Sequence, residues 1–219
     1  TVFGGPILWD LEQLPTLMKW YREFLPRAAV ELSPFMHLGT VPSVAAFPNA
    51  LWGRKVCGLI MCYTGPLEGA EAAIRPVRQE LPAPLLDGMG PLPFAALQSL
   101  FDPLLPKGLQ WYWKGDFVKA LPDAAIAVHL EHARQFPGEL SIVHLYPIDG
   151  AVHRVAPDQT AWSCRDATWS MVIAAIDPDP AKAGALKAWA RAYWEAVHPY
   201  NLGGAYVNFM MEEGQDRIR

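Results

Sequence analysis

Along the chain, stretches in which apolar and polar residues alternate every second position take turns with stretches in which the apolar positions recur every three to four. "PILWDL" (6–11) reads as a strand feeding a helix in "EQLPTLMKWYREFLPRA", where Leu14, Leu17, Met18, Tyr21 and Leu25 share a face. "LSPFMHLGTV" and "GRKVCGLIMCYTG" are two further strands joined by a Pro-rich loop. Gly65-Pro66 then opens a helix with Leu67, Ala70, Ile74 and Val77 on its apolar side. "LLDGMGPLPF" is a strand or loop before a short helix in "FAALQSLFD", and "GLQWYWKGDFV" is a strand whose Trp111, Trp113 and Gly115 alternate with Tyr112 and Lys114. The helix in "PDAAIAVHLEHARQF" turns Ile126, Leu130 and Ala133 inward. In the strand that follows, Ile142, His144 and Tyr146 face one way and Val143 and Leu145 the other, before a turn at Asp149-Gly150. "ATWSMVIAAI" is a strand, a long helix runs from Asp179-Pro180 to His198-Pro199, and "GGAYVNFMM" is expected as a closing strand.

The order strand, helix, strand, strand, helix recurs, which suits an antiparallel sheet better than a doubly wound parallel one. The expectation is an α+β fold, one domain over residues 1–219, with a large antiparallel sheet, helices on one face and the other face open. No internal repeat is evident in the sequence.

Composition narrows the function. Of 219 residues, 52% are hydrophobic and 18% charged, an apolar balance that suggests some surface is meant for a partner. The formal net charge of −4, without a Lys/Arg run, lacks the footprint of a nucleic-acid binder. No stretch is long and apolar enough for a membrane span, no targeting segment is seen, and a cytoplasmic location is expected. Cys57, Cys62 and Cys164 have no metal or disulfide spacing. The chain begins in a strand-like stretch and stops at "MEEGQDRIR" without a helix cap, as though cut from a longer protein.

Conventional catalytic signatures are missing: no G-x-S-x-G, H-E-x-x-H, Walker loop or G-x-G-x-x-G. His129 and His132 sit at a helical spacing that could hold a metal, but the polar edge of an amphipathic helix is the preferred reading. His37 and His198 have no partner in sequence and are read as structural. Trp111 and Trp113 are either core aromatics or a stacking wall for a flat substrate. His144 and Tyr146 are either a satisfied core pair or a functional one.

A resemblance weighs on these alternatives. The Tyr-x-Asn-aromatic stretch Tyr206, Asn208, Phe209, the block "HLYPIDGAVHRVAPDQTAWSCRDATW" and the Lys-x-Asp-aromatic strand (Lys114, Asp116, Phe117) resemble the C-terminal half of the berberine-bridge-enzyme-like FAD-linked oxidases, in element order over essentially the whole chain. The resemblance implies a substrate-binding domain whose open sheet face covers the flavin. It also implies a partner outside this chain, the FAD-binding domain of the same polypeptide. The chemistry implied is hydride transfer from an alcohol, sugar or related small-molecule substrate to flavin N5, with a side chain taking the substrate proton.

Counted back from Asp149-Gly150, the family's base position is Tyr146, with His144 beside it as modulator. The same resemblance makes Trp111, Trp113, Lys114 and Tyr206 substrate-binding and Asn208 cofactor-binding. One departure stands out: many relatives carry a tyrosine base directly after the Asn, and here it is Phe209. Either Tyr146 acts alone, or the substrate differs, or oxidase activity has been lost. A Tyr146 phenolate would need a cation or donor, for which His144, Lys114 or the flavin are the candidates. FAD is expected in the full-length protein and not bound tightly by this segment. The rival class is a free-standing α+β module that binds a small apolar molecule, or a second copy of itself, through the open sheet face.

Overall fold

A computed structural model describes residues 1–162 and 164–211; the helix-like stretch expected at the C-terminus lies outside the described residues. The strands are β1 (Val2–Asp10), β2 (Leu32–Thr40), β3 (Lys55–Tyr63), β4 (Leu86–Asp87), β5 (Gly90–Leu92), β6 (Gln110–Val118), β7 (Ile142–Pro147) and β8 (Trp169–Asp177). Between them lie α1 (Leu14–Phe24), α2 (Leu67–Glu80), α3 (Phe94–Gln98), α4 (Asp123–Ala133) and α5 (Ala183–Val197). All eight strands belong to one sheet in the order β4-β1-β3-β2-β7-β8-β6, with β5 also on β1, and every pairing is antiparallel.

The strand order is symmetric about its middle. β1-α1-β2-β3-α2 builds a three-stranded unit ordered β1-β3-β2, and β6-α4-β7-β8-α5 builds a second ordered β6-β8-β7. The two meet at a seam where β2 pairs with β7, Met36 opposite Leu145, His37 opposite His144 and Leu38 opposite Val143. The recurring element order is therefore a structural duplication that the residues themselves do not repeat.

Alternation along each strand separates the two faces. One carries Ile7, Trp9, Leu59, Met36, Leu38, Val143, Leu145, Met171 and Ile173 into the main core beneath the helices, all essentially inaccessible. The helices meet this face with stripes at helical spacing: Leu14, Leu17, Met18, Tyr21 and Phe24 from α1, and Leu186, Ala190, Tyr193 and Val197 from α5. Pro15 supplies the preset dihedral for the first turn of α1. Arg22 near its end donates to the Leu121 carbonyl and pairs with Asp123, at 2.7 Å each, tying α1 to α4.

Two expectations change. Val207–Phe209 is a turn of 3-10 helix instead of a strand. Residues 202–204 do border the β6 edge, since Leu202 N–H donates to the Phe117 carbonyl and Phe117 N–H to the Gly204 carbonyl. Gly203 between them has φ +87°, which leads the chain away from extended geometry. On α4, Ala125, Ile126, His129 and Ala133 are buried and Leu130 packs partly buried against the same core, so His129 joins the inward face instead of lying on a polar edge. His129 Nδ1 lies 2.7 Å from the Tyr193 hydroxyl of α5 and His132 stacks on the same ring, which makes both histidines part of the α4–α5 packing.

The sheet centre should be the least forgiving part of the core. Leu59 lies between Ile7 and Met36 with no accessible surface. Leu59→Ala should cost about 2–5 kcal/mol, measured by urea unfolding. Val30→Ala, at a side chain that is 84% exposed, should stay within about 0.5 kcal/mol of the parent.

Candidate functional site

Across the sheet from the helices, the second set of alternating residues forms a face of different character. Around the seam it carries Phe35 and His37 from β2, Ile60 and Gly58 from β3, and Ile142, His144 and Tyr146 from β7. Two irregular segments lie over it. One includes α3 and continues to Phe101, whose ring centroid stands 5.6 Å from His144 and 6.4 Å from His37. The other is the C-terminal stretch, which brings the Phe209 ring onto Tyr146 at 5.8 Å in a stacked arrangement. Gly115 permits that approach, since a Cβ there would stand 2.8 Å from the Phe209 Cβ.

Beneath Phe101 three polar side chains form a line. His37 Nδ1 and His144 Nε2 share a hydrogen bond of 2.8 Å, and His144 Nδ1 shares another of 2.6 Å with the Tyr146 hydroxyl. His37, read from sequence as partnerless, is thus the direct partner of His144 across 107 residues. Burial disfavours charge throughout: desolvation pulls His37 down to about 4, holds His144 well below the usual imidazole range with help from the neighbouring ring, and pushes Tyr146 up to about 12. At neutral pH the line holds two neutral imidazoles and a protonated phenol.

The line joins two cavities. Tyr146 borders one of about 320 Å³, shared with Phe35, Ile60, Cys62 and Leu97. His37 borders the other, about 460 Å³, lined mainly by apolar residues such as Leu8, Val41, Phe47 and Leu104. Phe101 forms part of both walls.

The other sequence candidates scatter. Lys114 is a correction: it projects to the helix side, with its ammonium 5.1 Å from the Trp194 ring centroid, so it neither lines a cavity with the tryptophans nor reaches Tyr146. Alternation places it opposite Trp111 and Trp113, because odd and even positions of β6 face opposite layers. Asp116, from the same motif, is fully buried on the helix side with His198 Nδ1 at 2.7 Å and the Asn201 amide at 3.1 Å; His198 is structural, as expected, through this partner.

Trp111 and Trp113 do lie on the open face, packed edge to face at 5.7 Å, but on the outer strand β6 and outside the walls of both cavities. Asn208 is exposed and donates to the Tyr206 hydroxyl at 2.6 Å, and Tyr206 in turn packs edge-on against Phe209. Sequence reasoning missed His37, Phe101 and Phe35; the only available signal for His37 was its placement on the face of β2 opposite Met36 and Leu38.

FAD can be tested against this face. Near Tyr146, the Ser170 hydroxyl opposite it on β8 is buried without a partner, and the surrounding rings of Phe35, Phe101 and Phe209 offer flat apolar surface. An aromatic ring system with polar edges is compatible with that surface. For the diphosphate of FAD, the sequence offers no glycine-rich phosphate loop. Among the described residues no cluster of three or more His, Cys, Asp or Glu is positioned to hold a metal, and no helix is long and apolar enough to cross a membrane.

No family model matches the chain. An FAD-linked oxidoreductase of Dictyostelium discoideum is 24% identical over 185 residues, covering 80% of this chain and 40% of that protein. Among solved structures, BBE-like protein 28 of Arabidopsis thaliana superposes with a TM-score of 0.77 at 16% identity, over 96% of this chain and 46% of that one. Aclacinomycin oxidoreductase gives 0.73 at 18% identity over 99% and 47%. The 6-hydroxy-D-nicotine oxidase of Arthrobacter nicotinovorans gives 0.74 at 14% identity over 99% and 48%. The chain therefore has the α+β fold found in BBE-like FAD-linked oxidases, and it spans less than half the length of these relatives.

The buried histidines set an acid limit on the fold. His37, His129 and His144 all have folded values below 6.5, so below that pH the unfolded chain binds more protons than the folded one. Their contribution is complete above about 6.5; that of His37 and His129 is lost as pH falls towards about 4, each at up to ~1.4 kcal/mol per pH unit, and His144 adds to the fall in the same direction. Urea midpoints should fall over that window, and His129→Gln should flatten the dependence. A profile that stays level from neutrality to about pH 4 would contradict the burial of neutral rings.

Proposed function

We propose that this chain is the substrate-binding part of an FAD-dependent oxidoreductase, in which Tyr146 takes the proton of a small-molecule substrate hydroxyl while its own proton passes to His144. The observation that carries this reading is the 2.6 Å hydrogen bond between the Tyr146 hydroxyl and His144 Nδ1, at the wall of a cavity on the sheet face that corresponds to the flavin-facing side in the resemblance. The flavin, when bound, supplies the hydride acceptor; its diphosphate site lies in a partner domain outside this chain.

Burial decides how Tyr146 works. Because desolvation raises it to about 12, a standing phenolate is disfavoured near neutrality, and neither Lys114 nor a charged His144 is there to stabilise one. Tyr146 accepts a proton only as it releases one, and His144 Nδ1 is placed to receive it. Phe35 at 5.0 Å and Phe209 at 5.8 Å flank the phenol ring, holding it and excluding water. The substrate class favoured is an alcohol, sugar or related molecule with an apolar face, since the cavity is lined mostly by apolar groups. Tyr206 with its partner Asn208 contacts the site through Phe209, and we assign them to orienting substrate or flavin. Trp111 and Trp113 are assigned to the surface that meets the flavin domain.

The protein expressed from its natural start should be yellow, and a panel of alcohols and sugars added without oxygen should bleach the flavin band. Tyr146→Phe should slow that bleaching by about 10²–10⁴-fold while leaving flavin content unchanged. The 219-residue chain alone should be colourless. Absence of flavin from the longer protein would move the assignment to a small-molecule-binding or self-associating module using the same open face.

A further inference from the structure

The line of polar groups does not stop at His144, and its far end opens on a different cavity from its near end. We propose that Tyr146, His144 and His37 form a single proton relay, which passes the proton taken up at the substrate cavity to the adjacent apolar cavity beyond His37, the two sharing Ile60, Leu100 and Phe101 as walls. This deepens the oxidoreductase reading and rests on it, adding His37 as a relay residue that does not touch the substrate.

Two neutral imidazoles that share one hydrogen bond must adopt the same tautomer. Were the tautomers different, the 2.8 Å contact between His37 Nδ1 and His144 Nε2 would hold either two protons or none. In one arrangement the Tyr146 hydroxyl donates to His144 Nδ1, His144 Nε2–H donates to His37 Nδ1, and His37 Nε2 carries the last hydrogen. In the other, every hydrogen has moved along by one bond. Converting the first to the second breaks the Tyr146 O–H, His144 Nε2–H and His37 Nε2–H bonds and forms bonds to His144 Nδ1 and His37 Nδ1. Tyr146 regains its hydrogen from the substrate, and the proton from His37 Nε2 goes to water in the cavity. Neither ring becomes charged, which is the only mode open to rings this deeply desolvated. A proton entering at His37 and leaving at Tyr146 runs the same hops backwards; it resets the relay by returning a proton to the substrate cavity, so the displacement holds within a turnover and no net proton is exported over a cycle.

The exit is built. His37 Nε2 lies beside Gly39 of the same strand face, where an added Cβ would come within 2.8 Å of it. Gly39 has no left-handed backbone that would require glycine, so what the missing side chain provides is room at the nitrogen. The cavity there has the exposed Glu139 on its wall, the one carboxylate among its lining residues. Around the pair itself, β3 presents Gly58, β8 presents Val172 and the segment over the sheet presents Phe101, none of them titratable. Tyr146 and the Cys62 thiol are thus the titratable groups at one end and Glu139 the one at the other.

Two measurements test the relay. In the 219-residue chain labelled with ¹⁵N-histidine, ring nitrogen shifts should show His37 and His144 neutral and sharing one tautomer at neutral pH. Tyr146→Phe should shift the tautomer balance of His37, which it does not contact. In the full-length flavoprotein, Gly39→Ala and His37→Phe should each slow substrate-dependent flavin reduction at least about tenfold, with an altered solvent deuterium isotope effect and an unchanged half-saturating substrate concentration. Two outcomes would overturn the relay: a His37 tautomer indifferent to Tyr146→Phe, or wild-type rates and isotope effects in both variants. A longer protein without flavin would instead remove the oxidoreductase reading, leaving the tautomer coupling to be judged on the spectra alone.

Discussion

The seam between β2 and β7 is the constraint on which the rest of the molecule depends. Each three-stranded unit, with its helices, covers only its own half of the core, and the sheet becomes continuous through three opposed residue pairs. On the helix side the seam is sealed by Met36, Leu38, Val143 and Leu145, all with no accessible surface. On the other side it is closed by the two histidines. Because the side-chain period of a strand is two, a slip of one residue would exchange these sets, sending imidazoles into the main core and leucines to the open face. The register that joins the units is the register that makes the polar line.

That line costs stability, and its cost explains its form. An imidazole buried without a partner forfeits its hydrogen bonds to water, and a buried charged one forfeits far more. The fold satisfies both ring nitrogens of His144, one through His37 and one through Tyr146, and leaves His37 Nε2 toward a cavity. An aliphatic pair at the seam would pack at least as well as Met36 and Leu145 do on the reverse side. Polar rings held neutral in such a place suit the handling of protons better than the support of a sheet.

Much of the sheet was legible because alternation is a local signal. The faces of β6, β7 and β8 follow from their residues, and the helix stripes of α1 and α5 follow from theirs. The site was only half legible. His144 and Tyr146 are two residues apart on one strand, so their shared face could be read, whereas His37 lies 107 residues away and is brought in by the seam alone. Lys114 departs for a different reason: the alternation of β6 sets it on the helix side, opposite the tryptophans, whatever the family motif implies. His129 was hidden because a helix edge looks polar until the Tyr193 hydroxyl arrives to satisfy it. The closing strand failed at Gly203, whose positive φ is a property of the folded backbone that the residue permits but does not announce.

Phe209 then acquires a meaning beyond a missing hydroxyl. Its ring lies on Tyr146, held there by the gap at Gly115 and flanked by Tyr206. A tyrosine in its place would add a second proton-bearing group beside the first, and two phenols sharing one cavity could exchange protons with each other. With phenylalanine there, the hydrogen-bonded route that Tyr146 has within this chain runs through His144. On the proposed reading the departure from the family pattern and the histidine pair are complementary: with Tyr146 as the base, its proton traffic runs toward the seam and not to the neighbouring ring.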